Sequence, residues 1–226
     1  MVEKSPSTAY NLYQDGKLDT VILSAQAAKN LQKQAGYMIR KNNGTTYMQF
    51  NTKLAKFKST KLRQAVSMAL DRKALAKTLG GGFTGATTFT AAYMTKVDGQ
   101  DFTQLAQDKT TKSQFAKMDS GNFEACVSGW NADFADPISF LDCMTSTNGY
   151  NSGKWSNKQY DQLIVKSKTV TSSSQRMQFL AKAENILMTD QGVTPLVQSG
   201  SAWMLNTKVK GLIYNGSYYF EYAYLQ

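Results

Sequence analysis

Ser128-Gly129-Trp130-Asn131-Ala132-Asp133-Phe134-Ala135-Asp136-Pro137 is the stretch on which the reading of this chain turns. Residues Asn122 to Ser128, which lead into it, alternate as a strand does: Phe123, Ala125 and Val127 share one face, Glu124, Cys126 and Ser128 the other. On its far side Asp136 is placed to cap a helix beginning at Pro137, because proline lacks the N–H that a first helical position leaves unpaired. A large aromatic ring, Trp130, and a carboxylate, Asp133, therefore fall between a strand end and a helix start. Ligand sites of open α/β sheets gather at such crevices. Spacing alone fits a plainer account more simply, in which Trp130 is core and Asp133 caps a turn.

Further blocks stand in order along the chain. Before the stretch comes Lys61-Leu62-Arg63-Gln64-Ala65-Val66-Ser67-Met68-Ala69-Leu70-Asp71-Arg72. The stretch itself runs on into Ser139-Phe140-Leu141, and after it come Trp155-Ser156-Asn157-Lys158-Gln159-Tyr160-Asp161-Gln162-Leu163-Ile164 and Ala183-Glu184-Asn185-Ile186-Leu187-Met188 leading into Thr194-Pro195-Leu196. Taken with Gly129 to Pro137, this series resembles the family 5 extracellular solute-binding proteins, the peptide-binding components of ABC importers. Each block is weak alone; four in register over nearly the whole chain are specific.

The resemblance implies an α/β fold: a type II periplasmic-binding-protein-like lobe with a mixed sheet flanked by helices. It implies that residues 1–226 form a single C-terminal ligand-binding lobe, opening with a helix, Asp19 and a strand. It puts Asp133 at the position of the family's anchor for a peptide's amino terminus, with Trp130 lining the cleft beside it. The implied partners are an oligopeptide, the N-terminal lobe of the same receptor and an ABC permease. No cofactor and no metal are implied. The parent would be extracellular and lipid-anchored. This chain departs from the family between Phe115 and Phe123, where relatives carry a further helix–strand–helix–strand section and only Ala116 to Asn122 stand here. Either a section has been excised near Phe115-Ala116 or the chain is a shortened relative.

Composition narrows the alternatives. A hydrophobic fraction of 42% suits a globular core, and no apolar run approaches the roughly 20 residues that span a bilayer. The start, Met1-Val2-Glu3-Lys4-Ser5-Pro6-Ser7, shows no hydrophobic leader, so an exported parent needs one upstream. The formal charge of +10 raises nucleic acid as a partner. Its lysines are scattered along predicted helix faces, with no arginine-rich run, so attraction to an anionic envelope is the better expectation and nucleic acid is not expected. There is no histidine, which removes imidazole general-base catalysis and most zinc sites. Cys126 and Cys143 make a poor metal site; a disulfide and two buried thiols both remain open, the thiols slightly favoured.

Read in order, the chain offers a helix capped by Ser7 or Thr8 and stopped at Gly16, a buried strand Leu18 to Leu23, and a helix from Ser24 to Gly36. Asn43-Gly44 reads as a hairpin turn between Tyr37–Arg40 and Thr45–Asn51. Ser59 or Thr60 opens a helix with Leu62, Ala65, Val66 and Ala69 at inward spacing. Asp71 caps a second helical piece that Gly80-Gly81-Gly82 ends, and a cap plus a surface or interface salt bridge accounts for Arg63 and Asp71. Phe83 to Lys117 is irregular, with Phe89 to Met94 extended and a turn of helix at Phe102 to Ala106. The helix from Pro137 reaches about Thr145, and a polar loop follows. Ser156 or Asn157 then caps a helix bearing Tyr160, Leu163 and Ile164, and Ser172 with Gln175 forms a capping box. That last helix carries the stripe Met177, Leu180, Ala181, Ala183, Ile186 and Leu187. Strands Val193 to Val197 and Ala202 to Leu205 follow, and the aromatic tail Tyr214 to Leu225 reads as an antiparallel strand packed on a sheet.

A receptor for many peptides must recognise what all peptides share, the backbone and the charged termini. Ser128 to Asn131, with little bulk at Gly129, offer an edge for main-chain pairing, and Asp133 offers a fixed carboxylate for the terminal ammonium. Asp136 is the weaker candidate, since capping accounts for it. A glycosidase built on Asp133 with Asp136 or Asp142 is disfavoured, because no third catalytic group is evident. A basic interaction domain, or a lobe for another cargo (a pheromone peptide, nickel, haem or a sugar), stays open; no enzyme is expected.

Overall fold

The computed structural model describes residues 5–92, 96–97, 100–105, 123–214 and 218–226. The expected excision point near Phe115-Ala116 lies outside them, as do parts of the irregular region. The main elements are α1 (Pro6–Gln14), β1 (Thr20–Ile22), α2 (Ala25–Leu31), β2 (Tyr37–Phe50), α3 (Thr60–Met68), α4 (Arg72–Leu79), β3 (Ala125–Asn131), α5 (Ile138–Leu141), α6 (Lys158–Thr169), α7 (Ser173–Thr189) and β4 (Thr194–Leu205). The strands follow the order β1–β4–β2–β3, with Thr84–Gly85 also paired to β4. The chain divides into two compact units, one of residues 1–42, 76–84 and 199–226, the other of 43–75 and 85–198.

In the first unit, Ser5 rather than Ser7 or Thr8 caps α1, its Oγ accepting the Thr8 N–H at 3.3 Å. Ser24 caps α2 as expected, accepting the Ala27 N–H at 3.2 Å. β1 runs antiparallel to the end of β4, with Val21 opposite Met204. Val21, Leu23, Ala28, Leu31, Ala202 and Met204 close a small core. β4 is one strand, where the sequence predicts two. Gly200 sits where the break was expected, and a Cβ there would lie 2.0 Å from the Gly82 carbonyl oxygen. Gly200→Ala is therefore expected to cost about 2–3 kcal/mol, read as a lower urea midpoint at unchanged slope. The aromatic tail also differs from expectation. Among the described residues Tyr218–Tyr219 pair only with Ile213–Tyr214, and Tyr224–Leu225 only with Val209–Lys210. Two-residue ladders this local leave the rings facing outward, Tyr222 at 66% and Tyr224 at 60% exposure.

In the second unit the expected hairpin at Asn43-Gly44 is absent, and β2 runs straight through it. Such a turn needs positive φ at both central residues, and neither residue is in that region. Their backbone serves a neighbouring strand instead: Gly44 pairs with Asn131, and the Asn43 carbonyl accepts the Ala132 N–H at 2.7 Å. α3 is turned the other way from its apolar spacing. Arg63 and Ser67 are buried, while Leu62 and Met68 are exposed. The cause is the Arg63 guanidinium, which donates to the carbonyls of Phe57 (2.6 Å), Lys58 (3.2 Å), Asp190 (2.5 Å) and Gln191 (3.1 Å). Arg63 is thus an internal tie and no surface salt bridge; Asp71 caps α4 through the Ala74 N–H at 2.9 Å.

α6 packs on α7. Asn157 caps the first, accepting from Gln159 and Tyr160, and Ser172 caps the second, accepting from Gln175. The α7 stripe is core, with Met177, Leu180, Ala181, Ala183 and Leu187 buried and Ile186 partly so. They meet Tyr47, Phe89, Phe140, Leu141, Trp155 and Tyr160. Phe102–Leu105 form the expected helical turn, with Phe102 buried. Cys126 and Cys143 are buried free thiols, and burial aided by the charges of Asp142 and Asp133 pushes Cys143 up to about 11. A thiol so protonated is a poor nucleophile.

Candidate functional site

β3 does not stop at Ser128. It continues to Asn131, held on β2 through Tyr47↔Ser128, Thr46↔Gly129, Thr45↔Trp130 and Gly44↔Asn131. The same straight course of β2 that removes the hairpin supplies these partners, so the strand runs three residues beyond the expected end at Ser128. β3 ends the strand order, and its outer edge is unpaired among the described residues. Gly129 and Asn131 are exposed on it, and Ser128 and Trp130 are half-buried.

Past the strand, Ser139 organises the turn. Its carbonyl accepts the Trp130 indole N–H at 2.7 Å, and its Oγ accepts the backbone N–H of Asp133 at 2.9 Å. Ser139 is itself buried at the head of α5. One residue thus fixes both the ring and the backbone that carries the carboxylate. Asp136 caps as expected, its Oδ1 accepting the Ile138 N–H at 2.9 Å. It also makes a two-pronged ion pair with Arg176 of α7, at 2.6 and 3.0 Å. That hydrogen-bonded pairing raises the Arg176 pKa further. The helix is shorter than expected: α5 spans Ile138–Leu141 and a 3-10 turn carries it to Met144.

The two carboxylates therefore have opposite roles. Asp136 is spent on structure. Asp133 is exposed, and among the described residues no hydrogen bond or ion pair engages its carboxylate. A carboxylate whose backbone is anchored and whose oxygens face solvent is suited to receive a cation brought by a ligand. Ser128, Gly129, Trp130, Asn131 and Asp133 are contiguous on β3 and the turn after it. Ser139, Arg176 and Tyr150, whose ring centroid lies 4.7 Å from that of Trp130, are additions that the sequence reading missed. Ser139 alone left a signal, as part of a block that resembled the family. Among the described residues no group of three or more His, Cys, Asp or Glu side chains is placed to hold a metal, and no helix is long and apolar enough to cross a membrane.

The chain is similar to several known proteins. Residues 1–112 match the model of the bacterial extracellular solute-binding proteins, family 5, middle section. The dipeptide-binding protein DppE of Bacillus subtilis is 23% identical over 269 residues, covering 92% of this chain and 50% of that protein. Over its first 112 residues the chain is thus similar to family 5 of the solute-binding proteins. The periplasmic oligopeptide-binding protein OppA of Haemophilus influenzae is similar to this chain across 99% of its length, at 23% identity, with 53% of OppA covered. The chain thus spans about half the length of these relatives. Among solved structures, the pheromone receptor PrgZ superposes with a TM-score of 0.75 at 24% identity, covering all of this chain and 57% of PrgZ. The substrate-binding domain of an oligopeptide ABC transporter from Bacillus anthracis gives 0.76 at 21% identity, covering 99% of this chain and 57% of its own. These likenesses bear out the α/β, type II periplasmic-binding-protein-like lobe. Family 5 members are extracellular or periplasmic solute-binding proteins.

Proposed function

We propose that this chain is the ligand-binding lobe of a family 5 peptide receptor for an ABC importer, and that Asp133 receives the amino terminus of the peptide. Trp130 lines the site beside it. Ser128 to Asn131 pair with the peptide backbone along the outer edge of β3, as an added strand would. One observation carries the reading: an exposed, unpaired carboxylate is held at the end of an edge strand by the bond from its own N–H to buried Ser139. The names of the relatives, dipeptide- and oligopeptide-binding proteins, support the cargo. The alignment with the Haemophilus protein runs to 289 residues against 226 here, which supports a chain shortened relative to that protein. The partners proposed are an oligopeptide, the N-terminal lobe of the same receptor and the importer's permease; lipid anchoring belongs to the parent.

A lobe that closes over only one side of its peptide leaves water on the other, so tri- to hexapeptides are expected to bind with Kd of about 1 mM or weaker. Asp133→Ala is expected to weaken that binding by about 10- to 100-fold, the worth of a charge-assisted hydrogen bond. Acetylating the peptide's amino terminus should have the same effect. Amide shift titrations in a nuclear magnetic resonance spectrometer read affinities in this range. Tight binding that neither change disturbs would remove Asp133 from the site.

A further inference from the structure

We propose that Tyr150 is a specificity-determining residue of this site, forming with Trp130 an aromatic wall for the first side chain of the bound peptide. The inference rests on the reading of Asp133 as the amino-terminal anchor. Its observations are separate. Tyr150 is a large ring left 61% exposed, yet it is not loose on the surface. Its ring centroid lies 4.7 Å from the Trp130 ring at an interplanar angle of 60°, a tilted pair.

The loop that carries it is tied down from several sides. The Tyr150 N–H donates to Asn148 Oδ1 at 2.9 Å, and Asn148 Nδ2 donates to the Asp142 carbonyl at 3.0 Å. The Tyr150 carbonyl accepts the Ser152 N–H at 2.9 Å. Next to it Asn151, 1% exposed, donates to the Trp155 carbonyl at 2.7 Å. A loop braced in this way presents its aromatic ring at little further entropic cost when a ligand arrives.

Connectivity then places the wall. Ser139 holds the Trp130 indole with its carbonyl and the Asp133 backbone with its hydroxyl, so ring and carboxylate share one anchor. In any peptide the first side chain leaves the carbon next to the terminal amine. A residue whose ammonium meets Asp133 therefore brings its side chain against whatever stands beside the carboxylate. On this proposal that is the Trp130–Tyr150 pair, linked to the Asp133 backbone through Ser139, an apolar and polarisable surface that rewards aromatic and large aliphatic groups and offers nothing to glycine. Tyr47, Asn131 and Thr45 on the adjoining strands do not supply such a surface, since Tyr47 and Thr45 are buried and Asn131 is polar.

The test compares Phe-Gly-Gly with Gly-Gly-Gly, titrated into the 226-residue chain while the Trp130 indole N–H resonance is followed. The wild-type chain is expected to prefer Phe-Gly-Gly by about fivefold. In Tyr150→Ala that ratio should fall to near one, and in Tyr150→Phe it should persist; the amide spectrum reports that each variant is folded. A ratio unchanged by Tyr150→Ala, or no preference in the wild type, overturns the proposal. If Asp133→Ala still weakens binding by about 10- to 100-fold in that case, the amino-terminal reading stands without it. If neither peptide moves the resonance, or both do so regardless of Asp133, the reading beneath falls and the proposal with it.

Discussion

Arg63→Met is expected to lower the unfolding free energy by about 3–5 kcal/mol, the largest effect of any single change outside the hydrophobic core. Arg63 is 3% exposed, and its guanidinium gathers carbonyls from two distant segments, Phe57 and Lys58 before α3 and Asp190 and Gln191 after α7. It also donates to Thr60 Oγ1 at 3.1 Å. Methionine matches the stem but donates nothing, so these carbonyls would lose their shared donor inside the protein. Burial lowers the pKa of Arg63, with the Asp190 charge opposing, which shows that the ion bears a desolvation cost that its removal returns in part. That offset is why the expected loss stays below the sum of the individual bonds. For a chain of this size the melting temperature should drop by roughly 10 °C. Arg63→Lys should recover little, because a single ammonium cannot span the fork. A melting temperature within a degree or two of wild type for Arg63→Met would show that these contacts are dispensable.

The second large effect depends on pH. Glu184 lies inside the α7 stripe, fully buried, with Oε1 accepting the Thr90 N–H at 2.7 Å. Burial raises its pKa to about 7, and the contacts from Thr90 and Phe89 pull it down only partly. The unfolded chain titrates Glu184 near 4.5. Folding therefore favours the protonated form. The contribution of this residue is complete below the unfolded value, is lost progressively as pH rises toward 7, and changes no further above that. The fold should thus be weaker at pH 8 than at pH 4 by about 3 kcal/mol on account of this group. Glu184→Gln keeps an acceptor for Thr90 and cannot ionise. It is expected to be the more stable protein at pH 8 and to flatten the slope between pH 5 and 7, measured by urea unfolding across that range. Parallel pH profiles for the two proteins would show that Glu184 stays ionised in the fold.

These two residues also show what could be read from the sequence and what could not. Caps were legible because they are local: Ser24, Asn157, Ser172 and Asp71 each satisfy an N–H within three residues. The α7 stripe was legible because one helix face decides it. Asn43-Gly44 misled because the dipeptide favours a turn only where no neighbouring strand claims its backbone, and here β3 does. Arg63 looked like a surface charge because the carbonyls of Asp190 and Gln191 lie more than a hundred positions along the chain. The burial of Glu184 left no mark in the sequence for the same reason, since Thr90 comes from far away. In the site, the run Ser128 to Asp133 was visible at once. What distinguishes Asp133 from Asp136 was visible only in part, because Arg176 and Ser139 reach the turn through tertiary structure.

The two sealed thiols have a practical corollary. Cys126 and Cys143 are 3% and 6% exposed, and the Cys143 proton is held to about pH 11, so the native protein should be nearly blank to maleimide reagents. A single new cysteine at exposed Asn131 would then be the one handle on the surface of the described residues for an environment-sensitive dye. The chain is by its own construction a scaffold for an optical sensor.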